Sequence, residues 1–212
     1  MKHNDRISED VREANISFNR AWILERGLIG AELIGTDDLD VDEARKRDAS
    51  PFMVVWLRNI ERLCNLLDDD FDYRSHSLID VGCGSGISTL YFYQKYDFQS
   101  FDGFDFSKRL IALANINKAL TAAYRKKTTP VSFQLADAKE FRLPHRPHVI
   151  FMFNPFGWET MKAFVENNIH SMRETKSIIL YANDLHLDGL RSYGTIVRRD
   201  DFYNLSAIKF AN

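Results

Sequence analysis

The stretch Leu78-Ile79-Asp80-Val81-Gly82-Cys83-Gly84-Ser85-Gly86 decides the fold. Apolar residues with one acid among them run into a loop with glycine at every second position. An amphipathic stretch from Ile87 to about Tyr96 follows. The order reads as a buried strand, a tight turn and the start of a helix. A glycine loop is informative in that setting, because strand–turn–helix context separates a ligand loop from a chance run of glycines. Without side chains the backbone turns sharply and a ligand can lie against it. The helix beyond offers unpaired amides and the positive end of its dipole.

The spacing narrows the ligand. A dinucleotide-binding loop requires G-x-G-x-x-G; here the third glycine comes one residue early, at Gly86, and Ile87 stands in the place it would fill. Three landmarks follow in order. Phe101-Asp102-Gly103-Phe104-Asp105-Phe106-Ser107 reads as a second strand ending in an acid, with Ser107 as N-cap of a helix from Lys108 to Leu120. A carboxylate about 20 residues past a glycine loop is placed to accept two hydrogen bonds from a ribose diol. Val131 to Ala138 begins after Pro130 and reads as a third strand leading to Asp137. His148-Val149-Ile150-Phe151-Met152-Phe153 is apolar enough to be a central strand covered on both faces. It runs into Asn154-Pro155-Phe156-Gly157 at its carboxyl end, the edge where open α/β sheets bind ligands.

Over roughly residues 50 to 212, these landmarks resemble the class I S-adenosylmethionine (SAM) dependent methyltransferases. The resemblance implies that Gly82, Cys83, Gly84, Ser85 and Gly86 shape the pocket for the methionine part of SAM. It implies that Asp80 orients the ammonium through the loop backbone or water, that Asp105 with Phe106 holds the ribose, and that Asp137 with Ala138 holds the adenine. The cofactor would be SAM and its product S-adenosylhomocysteine. Asn154-Pro155-Phe156 resembles the Asn/Asp-Pro-Pro-aromatic motif of amino-group methyltransferases, in which the amide oxygen and a backbone carbonyl hold the target nitrogen. The present loop departs from it, with one proline and the aromatic directly after. Asn154, Pro155 and Phe156 are the candidate catalytic residues, Asn154 also bordering the cofactor; the plainer reading of Phe156 is a core residue. The acceptor is an N or O group of unassigned identity, with a small metabolite or carbohydrate favoured. Two other classes stay open. One is a non-catalytic SAM-fold partner subunit. The other, disfavoured by Ile87 and the Asn-Pro-Phe loop, is an NAD(P)-dependent oxidoreductase.

Composition bounds the rest. With 212 residues, 45% of them hydrophobic, the chain is long enough for one domain with its own core. A net charge of −2 supplies no field toward nucleic acid or anionic lipid. No apolar run approaches the roughly 18 residues of a membrane span, and Met1 to Asp5 do not lead into an apolar signal core. Cys64 and Cys83 suggest no disulfide framework, so a reducing cytoplasm is expected. His145 and His148 flank Pro147 without a completing cysteine or carboxylate, so no metal is expected. His186 reads as a loop histidine, with a general base as the sharper alternative. Tyr124-Arg125-Lys126-Lys127 reads as a solvated helix end.

The expected architecture is α/β: a doubly wound, mostly parallel seven-stranded sheet with helices on both faces, a C-terminal antiparallel hairpin edge and a helical N-terminal extension. Residues 1–49 are the extension and a possible lid; residues 50–212 are the methyltransferase domain. Within the extension, residues 1 to 12 should fray and Ile16 to Leu33 should be helical, with Phe18, Ala21, Trp22, Leu24 and Leu28 on one face. Thr36 to Arg47 is an acidic-then-basic connector. Ser50-Pro51 signals the start of a helix reaching Leu67, and Ser50 and Phe52 could border the site. A helix from Trp158 to Met172, a fifth strand from Ile178 to Tyr181, and a hairpin of Thr195 to Arg198 with Leu205 to Phe210 about Arg199-Asp200-Asp201 complete the reading.

Overall fold

A computed structural model describes residues 7–124 and 128–210. Seven strands form one sheet: β1 (Ser77–Val81), β2 (Phe101–Asp105), β3 (Val131–Leu135), β4 (His148–Phe153), β5 (Ile178–Ala182), β6 (Thr195–Asp200) and β7 (Leu205–Lys209). Their order is β3-β2-β1-β4-β5-β7-β6. The first five are parallel. Strand β7 runs antiparallel to both β5 and β6. The expected sheet, hairpin edge included, is the observed one.

The helices are α1 (Glu9–Glu25), α2 (Glu43–Lys46), α3 (Leu57–Cys64), α4 (Ile87–Lys95), α5 (Lys108–Leu120), α6 (Trp158–Glu174) and α7 (Leu187–Leu190). Every residue of β1 and β5 is buried, as central strands covered on both faces must be. Two apolar layers flank the sheet. One packs Trp22, Leu63, Tyr91, Phe92 and Ile111 on one face. The other packs Phe104, Phe164, Val165 and Met172 on the opposite face.

The chain moves outward from β1 to β2 and β3, then returns to lay β4 on the other side of β1. The carboxyl ends of β1 and β4 therefore diverge at the switch point, where open sheets leave a crevice.

Three local readings are corrected. The first helix begins at Glu9 and stops at Glu25, so it starts inside the stretch expected to fray and ends well short of Leu33. Ser8 caps its start, accepting from the Val11 amide, and Gly27 turns left-handed just past its end. Leu24 faces out, at 66% exposure. The helix expected from Ser50 begins only at Leu57. Phe52 spends both its backbone groups on an antiparallel bridge with Ile34, donating at 2.9 Å and accepting at 3.0 Å, which a helical Phe52 could not do. Asn19 of α1 supplies the real start signal, accepting from the Leu57 amide at 2.9 Å while donating to the Val55 carbonyl at 2.8 Å. Finally, Arg199 and Asp200 belong to β6, and the hairpin turns at 201–204. Of the basic run, Arg125, Lys126 and Lys127 lie outside the described residues, as do residues 1–6 of the stretch expected to fray.

Candidate active site

The glycine loop makes its turn with three left-handed residues, at φ of 71° for Gly82, 54° for Gly84 and 76° for Gly86. Side chains are excluded by space as well. A Cβ on Gly82 would lie 2.4 Å from Pro155 Cβ, and one on Gly84 would lie 2.1 Å from the Phe52 ring. The side chains between the glycines point elsewhere. Cys83 is buried against Gly103, and burial pushes its thiol well above the ordinary range, which removes it as a nucleophile. Ser85 is fully buried, with its carbonyl accepting from Asn117 at 2.9 Å.

Asp105 ends β2 beside this loop and is 5% exposed. Its Oδ2 accepts from the Gly84 amide at 3.0 Å and its Oδ1 from the Ser107 amide at 2.9 Å. Two of about four acceptor positions are thus used, leaving room for a diol. Burial pushes its pKa up to about 6, against the pull of the Ser107 and Gly84 amides, and the nearby Asp40 charge adds to the rise.

Asp80 is buried in β1 and turned toward α4, where Ser88 Oγ donates to it at 2.8 Å and Thr89 Oγ1 at 2.6 Å. Burial raises it to about 6 as well, opposed by those hydroxyls.

A hollow of roughly 580 Å³, open to solvent, lies along the crevice. Gly82, Asp105, Phe106, Leu110, Ala138 and Asn154 are among its walls. A second hollow, which shares Phe106, Ala138 and Phe156 with the first, reaches Asp137. The structure thus brings Gly82, Asp105, Phe106, Ala138, Asn154, Pro155 and Phe156 to one hollow and Asp137 to its neighbour. Asp80, Cys83 and Ser85 line a smaller one on the other side of Phe52. Gly84 and Gly86 line none of the three; Phe52 stands over the first and Phe133 against the second. Asn154 adopts φ 41°, a left-handed conformation that asparagine tolerates, and the Tyr181 hydroxyl donates to its Oδ1 at 3.2 Å. Phe156 is 6% exposed, so core residue and cleft wall are both true of it.

The roof comes from residues 34–56. This strap is tied by the Ile34–Phe52 bridge and by a second bridge between Ala49 and Phe156. The Ser50 amide donates to the Pro155 carbonyl at 3.2 Å. Carboxylates pin the strap to helix ends. Asp40 accepts from Ser107 Oγ and, at 2.8 Å, from the Arg109 amide in the first turn of α5. Despite some desolvation, those bonds hold the Asp40 carboxyl below the usual carboxylate range. Asp48 accepts from the Thr160 amide at 2.8 Å and from its hydroxyl. Gly157 has no side chain with which to cap α6, so Asp48 takes that part. Arg45 Nε lies 3.0 Å from Asp137 Oδ2.

Charge pattern left the strap between a solvated connector and a lid over the cleft. Asp40, Arg45 and Asp48 carried no signal beyond their sign, because their partners lie 67, 92 and 112 residues away. Tyr181 was visible only as the end of a strand. Ser50 and Phe52 do line the main hollow, although the helix that suggested it begins only at Leu57.

The family model for a methyltransferase domain matches residues 78–174. That segment is similar to a methyltransferase domain. It runs from β1 through α6 and holds the glycine loop, Asp105, Asp137 and Asn154. Solved structures agree on the fold. Protein 1320 of Thermoplasma acidophilum is 20% identical, with a TM-score of 0.52 over 72% of this chain and 86% of that one. The pyocyanin biosynthetic protein PhzM is 16% identical, with a TM-score of 0.54 over 73% of this chain and 54% of that one. The ribosomal protein L11 methylase of Lactobacillus delbrueckii subsp. bulgaricus is 17% identical, with a TM-score of 0.50 over 74% and 78%. No curated protein matches the chain in sequence. Among the described residues no helix is long and apolar enough to cross a membrane, and no group of three or more His, Cys, Asp or Glu could hold a metal ion.

Proposed function

We propose that the methyltransferase domain binds SAM in the crevice at the β1/β4 switch point and passes its methyl group to an N or O acceptor, a small metabolite or carbohydrate rather than nucleic acid. The observation that carries this reading is Asp105. Its buried carboxylate is fixed by the Gly84 and Ser107 amides and opens onto a hollow with apolar walls. The residues suit the cofactor. Asp105 has acceptor capacity left for the ribose hydroxyls, while Phe106, Leu110 and Ala138 offer flat apolar surface for a purine. Asp137 Oδ1 and Oδ2 already accept from the Lys139 amide and Arg45, so an adenine amino group would share or replace the Arg45 contact.

Bound SAM would supply an electrophilic methyl on a sulfonium. The work left to this chain is to bind, align and exclude water. The glycine loop and Asp105 would hold the cofactor, Asn154 and Phe156 would place the acceptor, and the strap would shut out solvent. By this reading the protein acts as an enzyme in a reducing, cytoplasmic setting. Titration with SAM and separately with NADH tests the class. Heat released with SAM, and NADH fluorescence unchanged by the protein, is the expected pair. NADH binding without SAM binding would overturn the reading in favour of the oxidoreductase.

A further inference from the structure

Resting on SAM as the methyl donor, we infer that the acceptor is an oxygen nucleophile already anionic at neutral pH, a carboxylate, presented to the amide nitrogen of Asn154. An amine acceptor must be gripped through its N–H groups, which needs oxygen atoms with free lone pairs at the lip of β4. Two oxygens there each already accept one hydrogen bond, which leaves a single lone pair apiece for an N–H. The Pro155 carbonyl accepts from the Ser50 amide at 3.2 Å. The Asn154 Oδ1 accepts from the Tyr181 hydroxyl at 3.2 Å.

The direction of that second bond is fixed by its surroundings. Burial pushes the Tyr181 pKa up, so the hydroxyl keeps its proton and has it to donate to Asn154 Oδ1. The amide oxygen therefore faces Tyr181. The NH2 group of Asn154 makes no hydrogen bond among the described residues, and Asn154 lines the cleft. Ser50 lines the same hollow, and its hydroxyl can donate there too. A site with donors to spare and its acceptors half used suits an acceptor that brings lone pairs.

The titratable groups point the same way. Asp105 is the one titratable side chain in the walls of the main hollow, and its oxygens are held by backbone amides. Asp40 and Asp48 are committed to helix caps and Asp137 to Arg45. A neutral alcohol or an ammonium would have to give up a proton, and no free base lines the hollow to take it. A carboxylate needs none. Its oxygen forms the new bond to the methyl carbon, the carbon–sulfur bond breaks with its electron pair left on sulfur, and no proton moves. The product is a methyl ester.

The test uses tritiated SAM with the full chain and a small-molecule cell extract, reading label released as volatile methanol by mild alkali, which cleaves methyl esters and spares N-methyl groups and ethers. Alkali-labile label in the wild type is expected. Asn154→Asp should lose it at least tenfold, since a like charge then faces the acceptor, while calorimetry still shows SAM bound. Tyr181→Phe, which frees the amide to rotate, should cost about tenfold, one hydrogen bond's worth of orientation, again with SAM binding kept. Label found only in alkali-stable products, no transfer above a heat-killed control, or full activity in Asn154→Asp would overturn the inference while leaving SAM binding intact. Absence of SAM binding by the folded wild type would instead overturn the function it rests on.

Discussion

His148 stands at the start of β4 with both ring nitrogens buried and without a hydrogen-bond partner among the described residues. Burial, with the Arg146 charge second, lowers its pKa to about 4 from an ordinary 6.5. A base depressed in this way stabilises the fold above its unfolded pKa, and that contribution is lost as pH falls from 6.5 toward 4. The loss should reach about 3 kcal/mol at the acid end. Asp80 and Asp105 run oppositely. Their pKa values are raised to about 6 from 3.8, so their contribution is full below 3.8 and is lost as pH rises through 6. Denaturant unfolding of His148→Leu between pH 7 and 4 separates the two. The variant should gain stability on acidification relative to the wild type, and parallel pH curves for the two proteins would refute the assignment. At this scale the sequence is legible where a residue's role follows from its distance to a motif. Asp105 is found by counting from the glycine loop. The His148 environment and the Tyr181–Asn154 contact are not, because their partners are chosen by packing between strands.

Among elements, the strap was the part read least well. Proline after serine is a fair helix signal, yet Ser50 to Trp56 is extended, because the Ile34 and Pro155 backbones claim its hydrogen bonds. No local signal reveals a non-local bridge. By contrast α5, with Ser107 as its cap, was readable from its own residues. The three helices at the lip of the cleft share one device, a carboxylate over the first turn: Asp80 for α4, Asp40 for α5 and Asp48 for α6. Two of the three come from the strap, so helix capping and cleft closure are coupled. Asp48→Ala should lower stability by about 1 kcal/mol, the value of an N-cap, and speed proteolysis within 36–49. Unchanged cleavage would show that the strap is held by its bridges alone. Phe52 lies on Gly84, where a cofactor would approach the loop. Phe52→Ala should therefore tighten SAM binding several-fold, since the cost of displacing the ring is removed; weaker binding would mean that the ring packs on the bound cofactor instead.

For the whole molecule, the sheet was legible almost throughout. Alternation of strands and helices sets a parallel arrangement, and handed crossovers leave few topologies to consider. What fixes the antiparallel edge was less visible. Asp184, buried just beyond β5, is held by Arg199 of β6 through Nε at 2.9 Å and Nη2 at 3.1 Å, and by Ser206 Oγ of β7. Arg199 was expected only as part of the hairpin turn, although it ties three strands together. Arg199→Ala leaves a buried carboxylate short of its cation and should cost on the order of 2–3 kcal/mol in denaturant unfolding; a change under about 0.5 kcal/mol would show the pair to be a surface contact in effect.

The central claim is that this fold holds SAM through Asp105. Calorimetric titration of SAM into the wild type, Asp105→Ala and the size-matched Asp105→Asn tests it most directly. The wild type should bind at roughly micromolar concentration, more weakly as pH falls below about 6 where the carboxylate takes up a proton, and both variants should lose tenfold or more with their folds intact. No binding by the folded wild type, or equal affinity in all three proteins, would contradict it.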